Sequence, residues 1–154
     1  SIQEVDFDIG IEYLRLKSAG NGVGAIVTFT GLVREFESEP KSADFQANLS
    51  TLTLEYYPEM TEKLLAEIIQ QSFDRWPLAA VSVVHRVGSL KPNDQIVFVG
   101  VASEHRLEAF QAAQFLMDYL KTRATFWKKI EADGQSHWAE AKVSDSVAAA
   151  KWEG

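Results

Sequence analysis

The sequence predicts an α+β fold: a mainly antiparallel sheet with helices packed on one face, and a β-hairpin near the C-terminus. Three observations carry this. Stretches with the two-residue period of strands and stretches with the 3.6-residue period of helices are mixed without strict alternation. Their order reads β, β, α, β, β, α, then a hairpin and a helix. Asp133-Gly134, set between two short strand-like segments, is a strong hairpin signal. A ferredoxin-like core would fit this order, and so would other α+β arrangements. With 154 residues and 46% hydrophobic content, residues 1–154 have the size of one domain with one core.

The elements follow in order. Residues 24–33 contain Ala25-Ile26-Val27-Thr28-Phe29-Thr30, β-branched and aromatic, and read as a strand. Residues 35–48 are polar, with Pro40, two serines and four acidic residues, and read as a loop. In 49–56, Leu52, Leu54 and Tyr56 alternate with Thr51, Thr53 and Glu55, the pattern of a half-buried strand. Pro58 suits an early helix position. Beyond it Met60, Leu64, Leu65, Ile68, Ile69 and Phe73 recur at helical spacing until Trp76-Pro77 ends the helix. Residues 81–87 are a strand and 88–94 a turn. Residues 95–102 are a continuous apolar strand expected to be buried on both faces. A helix over about 104–123 is apolar around most of its circumference, with Glu104, Glu108, Gln111, Gln114 and Asp118 on one polar stripe. Residues 126–130 and 136–141 make the hairpin, and an Ala-rich helix covers about 145–152. Met60, Met117, Phe110, Phe115 and Tyr119 are expected in the core.

Bulk properties exclude several function classes. A net charge of −7 argues against nucleic-acid binding, which rests on many Lys and Arg contacts to phosphate. No apolar run is long enough for a membrane span, and the N-terminus has no basic-then-apolar signal pattern, so a cytoplasmic location is expected. The absence of cysteine removes thiolate nucleophiles and Cys-based metal sites. Three histidines without a His-x-x-x-His spacing give no support for a metal, and no cofactor is implied.

Against the acidic background, His105, Arg106, Lys121, Arg123, Lys128 and Lys129 gather around one apolar helix. A local positive field of this kind holds anions even on an acidic protein. The competing explanation is that Lys and Arg at a helix C-terminus complement its dipole. His85, on a strand beside Arg86, reads as structural.

Several blocks carry a family resemblance. They are Val27-Thr28-Phe29-Thr30-Gly31-x-Val33-Arg34, Leu52-Thr53-Leu54-Glu55-x-Tyr57-Pro58-x-Met60-Thr61, Arg75-Trp76-Pro77-Leu78, His85-Arg86-x-Gly88 and Phe98-Val99-Gly100-Val101. His105-Arg106, Met117-Asp118-Tyr119-Leu120-Lys121-Thr122-Arg123 and Phe126-Trp127-Lys128 continue the series. In order and spacing, over about 22–142, they resemble the catalytic (large) subunit of molybdopterin synthase. The resemblance implies an α/β-hammerhead-like fold and a sulfurtransferase that converts cyclic pyranopterin monophosphate to molybdopterin. Sulfur would come from a thiocarboxylate at the Gly-Gly C-terminus of a small ubiquitin-like subunit. The assembly implied is a homodimer within a heterotetramer.

Carried over residue by residue, the resemblance makes Lys121 and Lys128 catalytic. Lys121 would meet the partner's terminal glycine and neutralise the thiocarboxylate and the oxyanion of sulfur transfer. Lys128 would contact the pterin or shuttle protons. Arg34, His105, Arg106 and Arg123 would bind the substrate anion, the arginines through their planar forks. The chain departs from the family pattern in the longer, more acidic loop between Arg34 and Leu52, in Thr125 where proline is common, and in Ile130 preceding Glu131. Two readings compete: a non-catalytic domain binding a phosphate metabolite or nucleotide, and a structural subunit that only docks a ubiquitin-like partner.

Overall fold

The computed structural model describes residues 1–34, 36–37, 47–132, 135–138 and 143–153. Their elements are β1 (Ile2–Gln3), α1 (Ile9–Lys17), β2 (Ala25–Leu32), β3 (Phe36–Glu37), β4 (Ala47–Tyr56), α2 (Pro58–Arg75), β5 (Leu78–Arg86), β6 (Gly88–Leu90), β7 (Gln95–Ser103), α3 (Arg106–Thr122), β8 (Phe126–Ala132), β9 (Gln135–Trp138) and α4 (Val143–Ala150). None of these helices is long and apolar enough to cross a membrane.

Two sheets form, antiparallel except where β1 joins β5. The first has the order β1-β5-β7-β2, with β7 paired along its length on both sides, Val99 facing Phe29 in one ladder and Val83 in the other. The second runs β3-β4-β8-β9, with β6 also paired to β4. The predicted hairpin is β8–β9, whose last pair is Ala132↔Gln135; Asp133 and Gly134, the predicted turn, lie outside the described residues.

The central strand explains the layering. Val97, Val99 and Val101 of β7 pack with Leu65 and Ile68 of α2 and with Ala109, Ala112, Phe115, Leu116 and Tyr119 of α3. Phe98 and Ala102, pointing the other way by the two-residue period, pack with Phe7, Leu16 of α1 and Val84. The strand expected to be buried on both faces is so buried. Gly100 lies where α1 comes closest: a Cβ there would collide with Leu16 Cδ1, so the residue without a side chain lets the helix seat.

One segment adds elements that no expectation covered, and three expectations need correction. Residues 1–23 carry β1 and α1, which periodicity did not reveal. Ile11 and Leu14 of α1 point to solvent, while Glu12 is buried and held by Ser82 Oγ at 2.9 Å and Arg15 at 2.8 Å. A helix whose buried face includes a glutamate gives no clean apolar stripe. The ends of the 35–48 loop pair as strands, Phe36↔Asn48 and Glu37↔Ala47, while residues 35 and 38–46 lie outside the described residues. The expected 88–94 turn opens with β6, whose Leu90 fills the second core. Finally, α3 is not polar on a single stripe. Phe110 is 62% exposed and Met60 45% exposed, against the core assignment, whereas Asp118 is buried and accepts from Trp152 Nε1 at 2.7 Å and Gln114 Nε2 at 2.8 Å. A carboxylate satisfied by two donors can sit where the pattern asks for solvent.

Candidate active site

α3 decides which predicted residues can meet. Its 17 residues span about 25 Å at 1.5 Å per residue. Only two residues separate β7 from α3, and the two pack together, so the helix runs back along the strand. Arg106 is its first residue and Lys121 belongs to its last turn. The group expected to bind one anion is therefore split between two ends of the molecule.

At the α3 C-terminus stands Lys121, exposed. Lys128 follows on β8 opposite Leu54 of β4. By strand alternation Lys128 shares a face with Phe126 and Ile130, which pack in a cluster with Val33, Val87 and Leu54. Lys129 takes the other face with Trp127. Arg34 belongs to the Lys121 end: Val33 N donates to Asp94 O at 2.9 Å and accepts at its carbonyl from Asn93 N at 2.7 Å, beside the start of β7. The folding of α3 back along the sheet and the pairing of β8 with β4 thus direct Lys121, Lys128 and Arg34 toward the same end of the molecule, where β7 begins.

The turn between the two lysines is pinned from outside. Thr61, fully buried in the first turn of α2, lies 2.8 Å from Thr125 Oγ1 and 3.1 Å from Thr125 O. Thr125, a departure from the family pattern, contributes a hydroxyl that proline could not.

The other predicted residues stand elsewhere. His105 and Arg106 are at the opposite end, where Gly24 N donates to Ser103 O at 3.0 Å. His105 occupies the N-cap position, yet its side chain caps nothing and lies 3.6 Å from Glu104 Oε1. Arg123 is engaged with the C-terminal segment. Its guanidinium stacks 4.0 Å over the Tyr119 ring and pairs with Glu153 at 2.8 Å, holding the C-terminal segment. An apolar cleft of about 590 Å³ lined by Tyr57, Pro58, Glu59 and Met60 contains none of the predicted site residues.

His85 is the residue the sequence reading passed over. Its ring stacks on Phe126 with centroids 3.9 Å apart and planes 14° from parallel. Its Nδ1 lies 2.8 Å from the Arg86 carbonyl. Burial pushes its pKa down from 6.5 to about 4; the Arg86 carbonyl opposes this, and the Lys121 and Ser1 ammonium charges reinforce it. Its block in the family pattern was a signal, but a lone histidine on a strand beside Arg86 looks structural. Arg86 is structural, donating to Glu4 O and Gln95 O at 3.0 Å.

This depressed pKa makes stability pH-dependent. Above pH 6.5 His85 is neutral folded and unfolded, and contributes no pH dependence. Between 6.5 and 4 the unfolded chain takes up the proton first, so stability falls as pH falls, levelling off below about 4. At 1.36 kcal/mol per unit, the loss is up to about 3 kcal/mol. Urea unfolding from pH 7 to 4 should show this decline against the carboxylate background, and His85→Phe should flatten it. Equal pH slopes in both proteins would refute the burial argument.

The chain matches the family described as MoaE protein over residues 2–123. It is 50% identical over 146 residues to the molybdopterin synthase catalytic subunit of Escherichia coli (strain K12), covering 95% of this chain and 92% of that protein. Among solved structures, it superposes on molybdopterin cofactor biosynthesis protein E from Burkholderia multivorans with a TM-score of 0.80 and 40% identity, covering 99% of this chain and 94% of that one. A protein–protein complex of subunits 1 and 2 of molybdopterin-converting factor from Helicobacter pylori shares the fold at a TM-score of 0.70 and 14% identity, covering 92% of this chain and 90% of that one.

Proposed function

The chain belongs to the MoaE protein family, and from that premise we propose that it is the catalytic subunit of a molybdopterin synthase. It takes sulfur from the thiocarboxylated Gly-Gly tail of a small ubiquitin-like subunit and builds the dithiolene of molybdopterin from cyclic pyranopterin monophosphate. The cytoplasm is the proposed location. What supports the reading is the chain path, which directs the last turn of α3 with Lys121, the β8 position of Lys128 and the segment after β2 with Arg34 toward the same end of an acidic chain. The glycines of the partner tail can enter a narrow approach to Lys121 without side-chain clash. There the ammonium faces the thiocarboxylate and the oxyanion that forms as sulfur leaves. Arg34 offers a planar two-pronged donor to the substrate phosphate.

His105 and Arg106 enter this reading through a second copy. One α3 length keeps them from Lys121 of their own chain, while a homodimer can place His105 and Arg106 of the partner subunit beside it. Support for a second copy comes from uncovered apolar surface. β2 is an edge strand with Phe29 and Leu32 exposed, and Leu107 and Phe110 are exposed within the first turns of α3. Such an edge is a ready site for association. One small subunit on each protomer gives a heterotetramer.

The test is direct. Purified chain, excess thiocarboxylated small subunit and cyclic pyranopterin monophosphate should yield a dithiolene product, with the sulfur of two small subunits consumed for each dithiolene formed. Tight binding of the pterin phosphate with no sulfur transfer would instead assign the chain to the non-catalytic phosphate-binding class.

A further inference from the structure

Lys121 and Lys128 leave the chain on either side of one short turn. Only Arg123, Ala124 and Thr125 separate the end of α3 at Thr122 from the start of β8 at Phe126. The two ends of the turn are fixed by their own elements. Arg123 N donates to Tyr119 O at 2.8 Å, closing the helix, and Phe126 pairs with Tyr56 of β4. Thr125 is held from a third element, α2. Thr61, 64 residues earlier in the chain, reaches the Thr125 carbonyl at 3.1 Å and the Thr125 hydroxyl at 2.8 Å.

The directions of these bonds follow from the groups. A hydroxyl has one hydrogen to donate and can also accept, whereas a carbonyl only accepts. Both contacts are made at once when Thr61 donates to the carbonyl and accepts from the Thr125 hydroxyl. Thr61 is itself fixed, since it is fully buried and its N–H donates to Tyr57 O at 2.8 Å. Tyr57 stands edge-on to Trp127, the neighbour of Lys128, with ring centroids 4.8 Å apart. The start of α2 therefore contacts the stretch between the two lysines at two residues, Thr125 and Trp127.

We propose that Thr61 is a positioning residue for the two lysines: its paired hydrogen bonds to Thr125 hold the turn so that Lys121 and Lys128 keep a fixed relation to one substrate. Fully buried, Thr61 touches no substrate and acts only through Thr125. A turn free to shift would move the two amines relative to each other, and a misplacement of about 1 Å can cost about a hundredfold in rate. The catalytic consequence rests on the sulfurtransferase reading; the grip on the turn does not.

Three substitutions test the grip. Thr61→Val keeps the side-chain shape and removes both bonds, Thr61→Ser keeps the hydroxyl, and Thr125→Val removes only the bond between hydroxyls. With excess small subunit, Thr61→Val should lower kcat for dithiolene formation by about ten- to a hundred-fold. KM for the pterin phosphate and small-subunit affinity should stay within about two-fold of the parent, because ground-state binding is not what the turn supplies. Thr61→Ser should recover most of the rate. Adding Thr125→Val to Thr61→Val should cost nothing further, since the bond is already gone. A packing role would lower stability in Thr61→Val and leave kcat of the folded enzyme at the parent value. That result overturns the proposal, as does a serine variant as slow as the valine one or a double variant slowed by the product of the single effects.

Amide hydrogen exchange judges the grip without activity. The Arg123 and Phe126 N–H groups, bonded to Tyr119 O and Ala124 O, should exchange faster in Thr61→Val than in the parent or in Thr61→Ser. Unchanged exchange overturns the proposal. Should Thr61→Val fail to fold, Thr125→Val at its half-buried position decides: parent kcat with parent exchange overturns it. If the parent transfers no sulfur at all, the functional reading fails while the exchange result still judges the grip.

Discussion

Lys121→Ala and Lys128→Ala should each slow single-turnover dithiolene formation by about 10²–10³-fold, the usual cost of removing one group aimed at a developing oxyanion. Lys121 is exposed at a helix end, so its removal should leave urea unfolding within about 0.5 kcal/mol of the parent. Lys128 is half-buried on β8, and circular dichroism should confirm that its variant folds. The arginine variants divide the roles. Arginine keeps the charge but cannot give up its proton at working pH. Recovery in Lys121→Arg and none in Lys128→Arg would assign electrostatic stabilisation to the first and proton transfer to the second. Near-normal turnover in both alanine variants would remove both from the site.

Mixing two impaired proteins should restore activity. Lys121→Ala damages one end of α3 and Arg106→Ala the other, and the helix keeps these ends about 25 Å apart within a chain. If each site is built from the Lys121 end of one protomer and the Arg106 end of the other, a mixed dimer has one doubly damaged site and one intact site. Free re-association at equal concentrations makes half of the dimers mixed, so about a quarter of all sites should be intact. The activity of the mixture should rise well above either parent protein as subunits exchange. In the alternative, with both residues serving the same chain's site, no exchange product contains an intact site and the activity stays at the average of the parents. Sedimentation of the unmixed proteins checks that each is a dimer, for which an interface above about 2,000 Å² is typical.

Much of the fold was legible because it is written locally. The alternation in 49–56, the apolar run in 95–102, the α2 stripe closed by Trp76-Pro77 and the Asp133-Gly134 pair each place their element within a few residues. These signals need only the geometry of a single helix or strand. Elements that escaped have no such pattern. α1 buries a glutamate and exposes isoleucine and leucine, so its seat depends on Ser82 and on the missing side chain of Gly100, both distant in the chain. β6 is only three residues long and exists because β4 pairs with it.

By itself, the sequence determined the fold class, the order of the long elements, the family blocks and the presence of both lysines near the end of α3. The tertiary structure alone decided which charges lie at the same end of the molecule. It took Arg123 to the C-terminal segment and sent His105 and Arg106 to the far end of α3. It also brought Arg34, distant in sequence, to the lysine end and stacked His85 on Phe126 within electrostatic reach of Lys121. The physical reason is that a secondary-structure pattern is a short-range property of the backbone and its nearest side chains. A site, by contrast, depends on where a 25 Å helix ends and which strand face meets which sheet, and these are set by long-range packing.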